Sequence, residues 1–352
     1  MPTISAAVLG SLALLVPVAL ADDLYFAEIQ PGFGDGFVSR VKPDGSGYSQ
    51  LFSVGSGIRA VAVDSAGGKV YWTDVNNSVI ARSDLDGGNA ENVIVSGLVF
   101  PSAIVLDHEL GAMYWLDQDT WMARAGFDGS GFEVLSDTVT HRGIDIDHVH
   151  GKVYWSTSDT RFVGRILRSD LDGSHVQIVV RGGMEEFKPN AIALDVAGGK
   201  IYWTDYVIDV VSRSNLDGTG VEILWAAGAN HNPRGIALDL AHGKLYWGQD
   251  NDFDATSGRI MRMDLDGSNP EVVLDQIGLP NYLAFVPGPD GPPTCPADFN
   301  GDGFLDFFDY DDYVLCYETG QCPDGRTADF NGDQFADFFD YDDFVTAFEA
   351  GC

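Results

Sequence analysis

Cysteine is missing from residues 1–294, positive charge is scarce throughout, and only one long apolar run occurs. Each shortage excludes something. Any disulfide framework is confined to residues 295–352, where all four cysteines lie. Lys and Arg number 20 against 53 Asp and Glu, a formal net charge of −33. A chain this acidic repels a phosphate backbone, so nucleic acid is excluded as a partner while calcium is favoured. The apolar run, residues 5–20, is short for a bilayer span. It ends in Ala19-Leu20-Ala21, the small-x-small pattern of an export-signal cleavage site, just before Asp22. Residues 1–21 are therefore expected to be a signal peptide. The mature chain is expected to lack a transmembrane span, and the protein to be secreted or displayed at the cell surface. Recognisable catalytic motifs are missing too: there is no HExxH, no nucleophile elbow and no motif that places paired carboxylates.

What the chain has is repetition. Six times an arginine stands four residues before an Asp-Gly pair: Arg40/Asp44, Arg82/Asp86, Arg124/Asp128, Arg168/Asp172, Arg213/Asp217 and Arg262/Asp266. A Tyr-Trp pair precedes five of these arginines, at Tyr71, Tyr114, Tyr154, Tyr202 and Tyr246, and Tyr25-Phe26 precedes the first. A period in the forties, built from alternating runs and glycine turns, is that of β-propeller blades. Within one repeat, Asn190 to Asp195 reads as an inner strand, Lys200 to Asp205 and Val210 to Asn215 as the next two, and Val221 to Leu224 as the outer one. Asp217-Gly218 is the hairpin turn between the last two. The first unit lacks an inner strand, whereas residues 280–286 match one and have no partner after them. Residues 280–286 are therefore expected to close the ring as the inner strand of blade one, which removes two exposed edges. Recurrence in every blade assigns the Tyr-Trp pairs to packing between blades and the arginines to bridging a neighbouring blade.

Tyr71-Trp-Thr-Asp74 and Tyr202-Trp-Thr-Asp205, each followed by Arg-x-x-Leu-Asp-Gly, resemble the YWTD, or class B, repeats of the low-density lipoprotein receptor family. The resemblance covers about residues 24–287 and implies a six-bladed β-propeller. Blades with Tyr114-Trp-Leu-Asp117, Tyr154-Trp-Ser-Thr157 and Tyr246-Trp-Gly-Gln249 depart from the tetrapeptide.

Residues 288–294 are Pro/Gly-rich and read as a linker between a propeller at 22–287 and a C-terminal module at 295–352. That module holds fifteen acidic side chains against Arg326 alone. Two loops within it have calcium-ligand spacing. The first places Asp298, Asn300, Asp302, the Phe304 carbonyl, Asp306 and Asp309 at positions 1, 3, 5, 7, 9 and 12; the second repeats this with Asp329, Asn331, Asp333, Phe335, Asp337 and Asp340. Two calcium ions are expected. Gln334 stands at position 6 of the second loop, where the turn favours the glycine that the first loop has at Gly303. Each loop runs into a short helix, with Tyr310, Tyr313, Val314 and Tyr317 on one face and Tyr341, Phe344, Val345 and Phe348 on its counterpart. This α-helical, tandem EF-hand-like arrangement, ending in Gly351-Cys352, resembles the dockerin family. The resemblance implies docking to a cohesin-like or surface partner through residues late in each loop. Phe307-Phe308 and Phe338-Phe339 stand there instead of the Ser/Thr-type pairs of cellulosomal examples, and serve either the module's own core or an apolar docking face. Cys295, Cys316, Cys322 and Cys352 fit two disulfides, with three connectivities open.

On the propeller, the face carrying the B–C and D–A connections varies most, and binding sites concentrate on such loops. It gathers Trp121, His141, Arg142, Glu185, Phe187, Tyr206, His231, Arg234, Asp252 and Phe253 as candidate ligand-binding residues, suited to an extracellular protein or glycan. The favoured reading is an exported binding or scaffold protein. The alternative is a calcium-dependent propeller enzyme, of lactonase or polysaccharide lyase or hydrolase type, with His141 and His231 beside the channel.

Overall fold

The computed structural model describes residues 22–30, 35–55, 57–117, 121–136, 141–157, 164–182, 187–226, 231–251, 254–287, 297, 299, 307–322, 327–330, 336 and 338–350. Residues 1–21 and most of the two acidic loops therefore lie outside the described residues.

Twenty-four strands form six antiparallel four-stranded sheets, one per blade. Blade two is Ile58–Asp64, Lys69–Asp74, Val79–Asp84 and Glu91–Ile94. Blade three is Pro101–Asp107, Ala112–Asp117, Trp121–Gly126 and Glu133–Ser136. Blade four is His141–Asp147, Lys152–Thr157, Arg165–Asp170 and Gln177–Arg181. Blade five is Pro189–Asp195, Lys200–Asp205, Val210–Asn215 and Glu222–Ala226. Blade six is Pro233–Asp239, Lys244–Asn251, Asp254–Asp264 and Glu271–Ile277. In each, the strands run A to D outward from the channel.

Blade one is closed from both ends of the ring. Its inner strand is Leu279–Val286, paired antiparallel with Asp23–Ile29, followed by Gly36–Val41 and Ser49–Gly55. The register sets Tyr25 opposite Ala284 and Asp23 opposite Val286. The expected closure is what the chain adopts.

The repeated residues hold neighbouring blades together. In all six blades the tyrosine on strand B lies directly opposite the arginine on strand C. Five of these arginines donate through Nη1 to a backbone carbonyl of the next blade: Arg82 to Phe127, Arg124 to Leu171, Arg168 to Leu216, Arg213 to Leu265 and Arg262 to Pro43. The same guanidinium groups meet Glu91, Glu133, Gln177, Glu222 and Glu271 on their own outer strands. Arg40 of blade one instead lies 3.6 Å from Asp23. The Tyr-Trp rings between the blades are almost fully buried, so most of the large apolar area sits at blade–blade seams.

Two short helices follow the propeller strands, α1 (Phe307–Thr319) and α2 (Phe338–Ala350). They share a small aromatic core in which Tyr313 and Phe344 stack with ring centroids 4.0 Å apart, beside Phe299, Phe330 and Tyr341. Cys316 and Cys322 form a disulfide; Cys295 and Cys352 lie outside the described residues. Phe338 and Phe339 are each 69% exposed, so they do not belong to that core.

Candidate binding site at the channel mouth

Six inner strands line the central channel, and near their starts one residue of each pairs with the fourth residue of the tetrapeptide: Ile58 with Asp74, Pro101 with Asp117, His141 with Thr157, Pro189 with Asp205, Pro233 with Gln249 and Pro280 with Glu28. This step of the fold is the mouth on the B–C and D–A face. The residues that follow these around the ring are Arg59, Ser102, Arg142, Asn190, Arg234 and Asn281. Arginine therefore alternates with a neutral hydrogen-bonding side chain, falling on blades two, four and six.

The backbone is irregular at this step. Register shifts fall between Ile58 and Val61, Pro101 and Ile104, His141 and Ile144, Pro189 and Ile192, and Pro233 and Ile236, with the matching shift of blade one between Phe26 and Glu28. Such bulges bend a strand and re-aim its side chains.

Polar groups of the tetrapeptide fix the mouth. Thr73, Ser156 and Thr204 donate their hydroxyls to the carbonyls of Ser102, Asn190 and Arg234 on the next inner strand, at 2.5–2.6 Å. Asp117 accepts the amides of Val99 and Phe100 at 2.7 and 2.8 Å, and Asp205 accepts those of Lys188, Val207 and Ile208. Glu28 plays this part in blade one, taking the Gly278 amide at 2.9 Å. The tetrapeptide carboxylate thus pins the connectors that frame the mouth. Blades four and six, where Thr157 and Gln249 replace it, are two of the blades that carry arginine.

Tyr282 closes the channel below the arginines. It packs against the cores of three separate blade seams and donates its hydroxyl to the Arg142 carbonyl. Burial raises its pKa, while Arg59, Arg142 and Arg234 oppose that rise. Arg59 is half-buried, and burial lowers its pKa; Tyr282 and Tyr206 counter this, and the positive charges of Arg142 and Arg234 add to it. Arg234 is held by Asp250, with Nε at 2.8 Å and Nη2 at 2.6 Å from Oδ2. Among the described residues Arg59 makes no ion pair.

Below the plug lies a cavity of about 280 Å³, lined by Ala, Val, Ile and Leu of the inner strands. Asp145 is the carboxylate facing it, accepting the amides of Ile146 and Leu194 at 2.8 Å each. Burial pushes its pKa up to about 6.

The structure brings Arg142, Arg234 and Tyr206 to this mouth. Trp121 is half-buried against Trp115 and Phe132, and Phe187 packs edge-on against Trp203, so both cover blade seams. His231 is half-buried near the start of the blade-six inner strand. Glu185, Asp252, Phe253 and the side chain of His141 lie outside the described residues. Arg59, Tyr282 and Asp145 escaped the sequence reading. The available signal for Arg59 was its alignment with Arg142 and Arg234 at the second position of an inner strand.

In the C-terminal part, Asp309 and Asp340 are fully buried in the first turns of α1 and α2. Asp340 and Asp329 both act electrostatically on Tyr313, which burial already shifts upward. Asp298, Asn300, Asp302, Phe304, Asp306, Asn331, Asp333, Phe335 and Asp337 lie outside the described residues.

Residues 68–108 match the low-density lipoprotein receptor repeat class B family. Low-density lipoprotein receptor-related protein 1 of Pyricularia oryzae is 35% identical over 163 residues, covering 44% of this chain and 41% of that protein. Vitellogenin receptor Yl of Drosophila melanogaster is 29% identical over 165 residues, covering 46% of this chain and 8% of that protein. The chain therefore spans under half of the first relative and a small part of the second. Among solved structures, a chain from a nidogen/laminin complex superposes with a TM-score of 0.62 at 23% identity, covering 75% of this chain and 98% of that one. The class is thus a six-bladed β-propeller carrying a class B repeat, with two short helices after it. Among the described residues no helix is long and apolar enough to cross a membrane.

Proposed function

We propose that this is an exported binding protein whose propeller takes an extracellular protein or glycan at the channel mouth. Its C-terminal part, loaded with two calcium ions, anchors or docks it in the manner of a dockerin. The observation that carries the first half is the break in symmetry at the mouth. The seams repeat nearly the same contacts from blade to blade, as packing requires, whereas the mouth sets three arginines on alternate blades around a tyrosine. Likeness to a vitellogenin receptor and to a low-density lipoprotein receptor-related protein favours a protein as the ligand.

The calcium half is supported by the fit of the residues. Asp309 and Asp340 take the twelfth position of each loop and sit buried in the first turns of α1 and α2. A hard cation held by oxygen ligands, when bound, would neutralise each loop and tie it to its helix. The exposed Phe338 and Phe339 supply an apolar face for docking.

The binding half is tested by comparing proteins retained from the producing organism's surroundings on three immobilised forms. These are the wild type, Arg142→Glu with Arg234→Glu at the mouth, and Lys200→Glu on the opposite face. Partners kept by the wild type and Lys200→Glu but lost from the mouth variant support the reading. Equal retention by all three rejects it.

A further inference from the structure

We propose that the channel mouth is a carboxylate receptor, in which Arg59, Arg142 and Arg234 close together on one acidic side chain or C-terminal carboxylate of a protein partner. This rests on the mouth being the binding face, and adds the chemistry of what enters it. Three strands from alternate blades deliver the three guanidinium groups at one level, each at a register shift that re-aims the residue. Ser102, Asn190 and Asn281 alternate with them, Ser102 and Asn190 donating to the Leu116 and Arg234 carbonyls of the propeller, while Tyr282 forms the floor. Like charges gathered in a partly buried ring repel one another, and Asp250 pairs with Arg234. An incoming carboxylate relieves that repulsion, and arginine's planar fork matches it through two parallel hydrogen bonds.

Charge over the whole molecule selects the kind of partner. The chain carries −33, so a polyanion such as a sulfated glycan is repelled by the molecule as a whole. A basic protein segment with a single carboxylate at its tip meets attraction both at the mouth and from the acidic molecule around it.

The test uses the full-length protein at constant ionic strength, with calorimetric titration of defined probes. These are tricarballylate, an acetylated and amidated Lys-Gly-Gly-Asp-Gly-Gly-Lys peptide, its Asn counterpart, the same peptide with Asn in place of Asp and a free C-terminus, and a heparin hexasaccharide. Tricarballylate and at least one carboxylate-bearing peptide are expected to bind, the doubly neutral peptide not to bind, and Arg59→Gln to weaken binding about tenfold, a loss of about 1.4 kcal/mol. The Asp peptide and the free-C-terminus peptide separate the two sources of the carboxylate. As a readout on the wild type, tricarballylate should protect Arg59 from phenylglyoxal, with the modified site located by mass spectrometry. The proposal is overturned if no carboxylate probe binds, if Arg59 gains no protection, or if heparin binds more tightly than the peptides through the same arginines. Partner loss in the mouth variant without carboxylate binding would overturn this proposal and leave the binding face standing. Carboxylate binding without partner loss would do the reverse.

Discussion

Arg213 ties two blades with one guanidinium group, donating to the Leu265 carbonyl at 2.7 Å and to Glu222 at 2.6 Å. Arg213→Ala removes a charge-assisted bond and leaves a seam carbonyl without its donor. Stability should fall by about 2 kcal/mol, read as a lower urea midpoint at unchanged slope; an unchanged midpoint would show that the recurrent arginine is dispensable. Asp145 gives the opposite kind of effect. Protein surrounds it, and burial raises its pKa to about 6 from an ordinary 3.8. Between those values the folded state holds the proton more tightly than the unfolded chain does. This group therefore lowers stability as pH rises from about 4 to about 6, and its effect is constant above that. In Asp145→Asn this trend should vanish, so the stability difference between wild type and variant shifts by up to about 3 kcal/mol between pH 4 and 7.5. Parallel pH profiles from denaturant titrations would reject the assignment.

At the scale of the element, the Asp-Gly hairpins do more than turn the chain. Gly218 has φ +84°, and a Cβ there would overlap the Val179 carbonyl oxygen on the outer strand of the preceding blade. Gly45 and Gly173 meet Val273 and Leu135 in the same way. Gly218→Ala combines an unfavourable backbone conformation with a clash, and should cost about 1–3 kcal/mol, visible as a depressed melting temperature. A melting temperature equal to the wild type's would mean that the seam can open around the hairpin. The turn was legible in the sequence because Asp-Gly between alternating runs is a local signal. The close approach of the preceding blade was not, because nothing near Gly218 in the chain records where Val179 will lie. Strand bounds show the same division: Lys200–Asp205 and Val210–Asn215 were read as they form, while the outer strand, Glu222–Ala226, lies slightly later than its residues imply.

Across the whole molecule, the C-terminal part is expected to respond to metal separately from the propeller. All seven tryptophans lie between residues 72 and 247, so their fluorescence reports on the propeller, whereas helical circular dichroism reports on α1 and α2. Chelator should abolish the helical signal and leave the tryptophan transition in place. Asp298→Ala should weaken calcium binding, whereas Asp264→Ala, whose carboxylate pairs with Lys244 in the propeller, should not. A helical signal indifferent to chelator would remove calcium from the account.

The sequence by itself determined the number of blades, the order of strands and the way the ring closes. Blade count and strand order depend on short-range pairing and on a period repeated six times, and closure was legible because the first unit lacks an inner strand that residues 280–286 supply. It also pointed to Arg142 and Arg234, because variable connectors drew attention to them. Only the tertiary structure decided that Arg59 joins them, that Tyr282 closes the channel beneath, and that Trp121 and Phe187 pack into seams. Arg59 follows the short connector between blades one and two, and no local feature marks it. Its neighbours are brought to it by closure of the ring, a non-local event set by the packing of all six blades at once.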